Sequence, residues 1–220
     1  MVYRVQVQAV ELNHANPEYG VLFLHGLGAS GYDFVPWVER YFASDAISWR
    51  LPHAPKQAVT WLQGQVVPAW FDLFEASTRS KEDLQGLNKA SDMVYQQLKI
   101  LNAQGIPYNK IFIMGFSQGA ALALFAGLQC SEQLAGIAAF SGYLPNRNNL
   151  QLRKQQHVWL SHGDNDQVLP LNFYELSESM LSQQQQLTVT ANIYQNMVHE
   201  VNHDCSIDFY QWFNKRGKDV

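Results

Sequence analysis

The chain has 220 residues, 47% hydrophobic and 15% charged, which suits one domain, 1–220, with a sizeable core. Its net charge of −4 argues against a nucleic-acid partner or an anionic membrane surface, and no apolar run is long enough for an integral membrane segment. The N-terminus MVYRVQVQAV lacks the shape of a signal peptide, and Cys130 and Cys205 do not make a disulfide framework, so a reduced, cytoplasmic protein is expected.

Tyr3, Val5, Val7 and Ala9 alternate with Arg4, Gln6 and Gln8, the pattern of a half-exposed edge strand. A turn over 13–20 leads into a buried strand at 21–24, which ends in His25-Gly26-Leu27-Gly28. Phe34, Trp37, Val38, Tyr41 and Phe42 fall on one helical face, with Pro36 tolerated in the first turn. A short strand at 46–51 stops at Pro52-His53-Ala54-Pro55. The stretch 57–74 holds Trp61, Leu62, Val66, Val67, Trp70, Phe71 and Phe74, and Gly64 and Pro68 interrupt it. It reads as an irregular, apolar, lid-like loop, either packed over the sheet's end, lining a binding groove or forming the face of a homodimer.

A solvated excursion over 75–85 precedes a long amphipathic helix marked by Leu87, Ala90, Val94, Leu98 and Leu101 and ended by Gly105 and Pro107. Residues 111–114 are a buried strand, and 120–128 are almost wholly apolar, which suits a helix buried on all sides. Strands at 134–140, 157–160 and 187–194 follow, with a helix at 171–185 between the last two. Ile207, Phe209, Tyr210, Trp212 and Phe213 mark a closing helix. Strands alternate with helices, so the class is α/β with a mostly parallel sheet.

Between strand 111–114 and helix 120–128 stands Gly115-Phe116-Ser117-Gln118-Gly119, a G-x-S-x-G turn. Such a turn is too sharp for side chains two positions either side of the serine, and glycine satisfies that. The serine projects from a helix N-terminus, where free N–H groups favour a developing oxyanion. A serine hydroxyl needs a base, and the base needs an orienting acid, both at the ends of later strands. Asp164 and Asp166 follow strand 157–160, and His199 and His203 follow strand 187–194. An oxyanion hole would draw one N–H from Gln118 and one from the HGLG loop, at Leu27, while His25 holds that loop by hydrogen bonds. His203, beside Asp204, is expected to help cap the closing helix. His199-Glu200-Val201-Asn202-His203 also matches H-E-x-x-H, a zinc-protease signature that needs both histidines on one helix face.

The blocks LFLHGLGASG, PHAP, PAWFDL, GFSQGAALAL, LAGIAAFSGYLP and SHGDNDQVLP, in this order, resemble the carboxylesterase/acyl-protein thioesterase/lysophospholipase family of α/β-hydrolases over residues 20–213. The resemblance implies an α/β-hydrolase fold, a mostly parallel twisted sheet with helices on both faces. It maps the nucleophile to Ser117, the acid to Asp166, the base to His199, and the oxyanion donors to Leu27 and Gln118. It places an acyl-covering loop at 60–71, so Trp61, Leu62, Val66, Val67 and Trp70 are the expected substrate-binding residues. Acyl esters, thioesters, lysophospholipids or acylated proteins are the implied substrates, with no cofactor and no metal. The chain departs from the family's usual pattern at Val198 before the base, at Ala120 after the elbow, and at Ala29-Ser30, where an acidic residue is frequent.

Overall fold

The apolar runs bounded by glycine and proline become the strands of one sheet. The computed structural model describes residues 8–74, 81–146 and 149–218. The strands are β1 (Ala9–Leu12), β2 (Tyr19–Leu24), β3 (Ile47–Pro52), β4 (Lys56–Val59), β5 (Gln65–Pro68), β6 (Ile111–Phe116), β7 (Gly136–Phe140), β8 (Gln156–Gly163) and β9 (Leu187–Tyr194). The helices are α1 (Val35–Phe42), α2 (Leu84–Ala103), α3 (Gln118–Leu128), α4 (Leu171–Ser182) and α5 (His203–Lys218). Among the described residues the main sheet has seven strands in the order β1-β3-β2-β6-β7-β8-β9. Only β1, on the edge, runs antiparallel to its neighbour. Of the edge strand expected at 3–9, residues 3–7 lie outside the described residues.

A central parallel strand is covered on both faces, which explains why β2, β6 and β7 read as continuous apolar runs. Helices α2, α3 and α4 pack on one face. Helices α1 and α5 pack on the other, through Val38, Phe42, Phe209 and Phe213. Every residue of α3 is buried, as its unbroken Ala/Leu composition requires. A fully buried phenylalanine contributes about 1.5–3 kcal/mol, so Phe209 and Phe213 tie α5 firmly to the sheet. That fixes one end of the loop 195–202, which carries His199.

After β2 the chain moves outward to β3, then returns through α2 to β6 on β2's other side. The carboxyl ends of β2 and β6 therefore flank a switch point, where an α/β sheet opens a crevice. The HGLG loop leaves one of these ends and Ser117 the other.

The segment 57–74 differs from the irregular loop expected. Strands β4 and β5 form a two-stranded antiparallel hairpin, with Lys56 opposite Pro68 and Val59 opposite Gln65. Gly64, at φ 81°, takes a left-handed position in the turn beside Gln63 at φ 56°. Pro68 closes the last pair, where a strand end tolerates a missing N–H. The two residues punctuate the hairpin instead of breaking it.

Candidate active site

Ser117 sits at φ 56° and ψ −117°, a strained conformation for a residue with a side chain. Its surroundings enforce it. The Ser117 N–H donates to Phe140 O at 2.9 Å, and its carbonyl accepts from Ala121 N at 3.1 Å. A Cβ at Gly115 would stand 2.2 Å from Gly119 O, and one at Gly119 would stand 2.1 Å from Leu24 O. Both glycines are there for close backbone approach. Ala120 fits in place of the usual glycine because the residue facing it is Gly142, whose absent Cβ would lie 2.4 Å from that of Ala120.

His199 approaches from the loop after β9. Its Nε2 lies 2.9 Å from Ser117 Oγ and its Nδ1 lies 2.6 Å from Asp166 Oδ2. A carboxylate only accepts, so Nδ1 carries the proton and the Nε2 lone pair faces the serine hydroxyl. The Asp166 side chain is fully buried. Burial pushes its carboxyl group up, but the hydrogen bond from His199 and those from the Leu169 and Val168 N–H groups outweigh this and hold it below the usual range. Both N–H groups reach Oδ1 at 2.8 Å. The site is thus built to keep Asp166 ionised. The ring of Phe116 packs on His199, with centroids 4.8 Å apart. Val198 is 44% exposed and its backbone is not left-handed, so no glycine is needed before the base.

The other candidates take different places. Asp164 accepts from Asn196 N at 2.6 Å and fastens the turn after β9. The side chain of Asn202 accepts from Cys205 N at 2.9 Å and caps α5, the place expected for His203. His203 instead lies 3.0 Å from the Tyr41 hydroxyl. His199 precedes α5 and His203 begins it. The two therefore do not share a helix face, as a zinc pair in H-E-x-x-H requires.

The HGLG loop curls beside the serine. Gly28, at φ 76°, donates to Pro68 O at 2.8 Å. His25 Nε2 accepts from Ala54 N at 3.0 Å, so its Nδ1–H donates to Gly26 O at 2.7 Å. Burial pushes its pKa down, against the pull of the Gly26 carbonyl, which keeps the ring neutral. His25 thus holds the loop, as the sequence led us to expect. The Gln118 side chain accepts from Trp70 N at 2.9 Å and donates to Phe71 O at 2.8 Å. The Trp70 indole N–H donates to His25 O at 2.8 Å. The PAWFD block is therefore clamped to the elbow, and this clamp makes Trp70 and Phe71 core residues.

A cavity of about 340 Å³ opens over Ser117 and His199, with Leu27, Phe34, Trp61, Leu73, Tyr143 and Leu169 in its walls. Of the five expected substrate-binding residues, Trp61 alone lines it. Trp70 is 2% exposed and buried beneath, while Val66 is 63% exposed. Leu62 and Val67 pack half-buried against the core. Phe34, Tyr143, Val168 and Leu169 were not foreseen as lining residues. The signal available was proximity, since Val168-Leu169 stand two and three residues after the acid. A carboxylate does stand nearby, on Asp33. It lines the cavity and accepts from Ser30 N at 2.7 Å and Ser30 Oγ at 2.6 Å.

The profile of the phospholipase/carboxylesterase family matches residues 5–215. The chain belongs to that family. It is 30% identical to acyl-protein thioesterase 1 of Candida albicans, over 91% of this chain and 94% of that one. The crystal structure of SOBER1 from Arabidopsis thaliana superposes with a TM-score of 0.83 at 26% identity, covering 90% of this chain and 98% of that one. Maize acyl-protein thioesterase 2 has the same fold, with a TM-score of 0.87 at 22% identity over 96% of this chain and all of that one. The family member described here is therefore a serine hydrolase of the α/β-hydrolase fold. Among the described residues no helix is long and apolar enough to cross a membrane.

Proposed function

We propose that the protein hydrolyses acyl esters and thioesters through an acyl-enzyme formed on Ser117. The observation that carries this is the unbroken chain from Asp166 through His199 to Ser117, at 2.6 and 2.9 Å. As Ser117 Oγ attacks the carbonyl carbon, His199 Nε2 takes its proton and Asp166 stabilises the imidazolium. The oxyanion of the tetrahedral intermediate receives the N–H groups of Leu27 and Gln118. Collapse expels the alcohol or thiol, which takes the proton from His199. Water then repeats the sequence on the acyl-enzyme and releases the carboxylic acid. Bonds and protons balance with water alone, so the scheme calls for no metal or cofactor.

The apolar cavity suits the acyl chain, at about 0.8 kcal/mol per buried CH₂. Two relatives named acyl-protein thioesterase 1 support acylated proteins as the substrate class for this chain. Both cysteines are buried and free, which accords with a reducing, cytoplasmic setting. The test is Ser117→Ala, which should keep the fold and lower ester turnover by about 10⁴-fold or more. A fluorophosphonate should label Ser117 and no other serine. Labelling elsewhere, or undiminished turnover, would sink this reading.

A further inference from the structure

The mechanism above leaves one buried histidine of the site unused. His162, on β8, has a side chain that is 0% exposed. Its Nε2 lies 2.8 Å from Leu169 O. A carbonyl only accepts, so Nε2 carries a proton. Nδ1 is buried and has no partner among the described residues. A proton on that nitrogen would have no acceptor, so the ring is neutral. Burial disfavours the charged form further, against the pull of the Leu169 carbonyl and of Asp166. The tautomer is therefore fixed, and with it the direction of one N–H dipole.

That N–H is committed to Leu169 O, and the acid lies beside it. His162 Nε2 is also 3.4 Å from Asp166 Oδ2, the oxygen that holds His199. Leu169, held through its carbonyl, sends its own N–H to Asp166 Oδ1 and lines the cavity. The titratable groups around the ring are Asp166 on the loop after β8, His199 on the base loop and Tyr174 on α4, whose ring centroid is 5.7 Å away. A space-filler at this position needs no nitrogen. A buried imidazole with an unsatisfied Nδ1 is a costly choice, and such a group calls for an explanation.

We propose that His162 is a positioning residue for the Asp166–His199 pair, acting through its Nε2–H on Leu169 O. It holds the loop 166–169 against β8, and so keeps the Val168 and Leu169 N–H groups on Asp166 Oδ1, where they stabilise the ionised acid. Asp166 then orients the base without binding its proton too tightly. This rests on the serine-hydrolase reading.

The experiment compares His162→Asn with His162→Gln, using a short soluble ester and a fluorophosphonate. The Asn amide is too short to reach Leu169 O, whereas the Gln amide N–H reaches about as far as imidazole Nε2. Expected for Asn is a fall in kcat of about 10–100-fold with KM little changed. The acid limb of the kcat/KM profile should move to higher pH, because a less stabilised carboxylate holds the imidazolium proton more tightly. The rate of Ser117 labelling should fall in parallel, and Gln should restore most of the loss. A folded Asn variant with wild-type kcat and pH profile overturns the proposal, as do equal losses in Asn and Gln with the limb unmoved. Nitrogen NMR of the wild-type histidines decides independently of how the variants fold. A neutral Nε2–H signal for His162 throughout the activity range supports the proposal, and an Nδ1–H tautomer overturns it. Wild-type enzyme that turns over and is labelled at Ser117 while the variants match it removes this inference alone. Wild-type enzyme that is not labelled removes the hydrolase reading as well.

Discussion

Two structures border the same cavity and are built on opposite plans. The elbow around Ser117 is fixed from every side, by backbone contacts too close for a Cβ at Gly115 or Gly119 and by the all-buried α3 behind it. The β4–β5 hairpin is held by a few hydrogen bonds, at its base through Gly28 N to Pro68 O and at its turn through Thr60 and Trp61. Thr60 N and Oγ1 donate to Asp72 at 2.7 and 2.6 Å, and Trp61 N donates to Leu73 O at 2.7 Å. Beyond those bonds Val66 is 63% and Trp61 40% exposed. Positioned chemistry depends on groups held within fractions of an ångström, so it belongs on the rigid plan. Contact with an acyl chain of variable length needs only apolar surface, which the hairpin supplies. The two plans therefore predict different sensitivities to substitution.

The largest difference lies within the rigid part, between two acids two residues apart. Asp166→Asn should lower kcat by about 10⁴-fold, because an amide at that place favours the wrong tautomer of His199. Asp164→Asn should cost only a few-fold, since an amide oxygen still accepts from Asn196 N. Steady-state kinetics on one ester measure both. Equal losses would mean that the distances at Asp166 do not identify the working acid.

Next are two glycines, one from each region. A Cβ at Gly119 meets Leu24 O at 2.1 Å and His25 O at 2.6 Å, both backbone atoms that cannot swing away. Gly119→Ala should cost about 1–3 kcal/mol of stability and, by displacing the elbow, about 10²-fold or more in kcat. A Cβ at Gly64 meets nothing within 4 Å, and only its φ of 81° is unfavourable. Gly64→Ala should cost roughly 1 kcal/mol and leave kcat nearly intact. Thermal melts with kinetics on both variants check the contrast. Loss of activity in Gly64→Ala would show that the hairpin is coupled to the chemistry.

The same contrast governs what the sequence revealed. The elbow was legible because its constraints are local: Gly, Ser and Gly at fixed spacing between an apolar run and an Ala/Leu helix. The order of acid and base was legible from strand order. Choosing Asp166 over Asp164 needed the family resemblance, because nothing local says which of two nearby carboxylates turns inward. The structure supplies the reason, namely that Asp166 accepts from the N–H groups of Val168 and Leu169. Capping by Asn202, not His203, follows from where α5 begins, which sequence fixes only to within a residue or two. The 57–74 segment was the least legible. Trp70 and Phe71 are core residues because Gln118, 48 residues from Trp70 in the chain, clamps their backbone. No local pattern encodes a contact of that range.

The smallest expected effect tests the hairpin itself. Trp61 lines the cavity over Ser117, whereas Val66 does not, although both are exposed apolar residues of the same hairpin. If acyl chains run along that wall, each added carbon pair should raise kcat/KM by about fifteenfold at most, until the wall ends. Trp61→Ala should flatten this rise several-fold for long chains and leave an acetyl ester, which does not reach the wall, nearly unchanged. Val66→Ala should keep the wild-type slope. Measuring kcat/KM for acetyl, butanoyl, hexanoyl and octanoyl esters on the three proteins separates the outcomes. A wild-type enzyme indifferent to chain length would remove the acyl role from the hairpin and leave the homodimer face as the use of its exposed apolar residues. Sedimentation of Val66→Asp against wild type would then be the deciding measurement, because a charge at the centre of an apolar contact dissociates it.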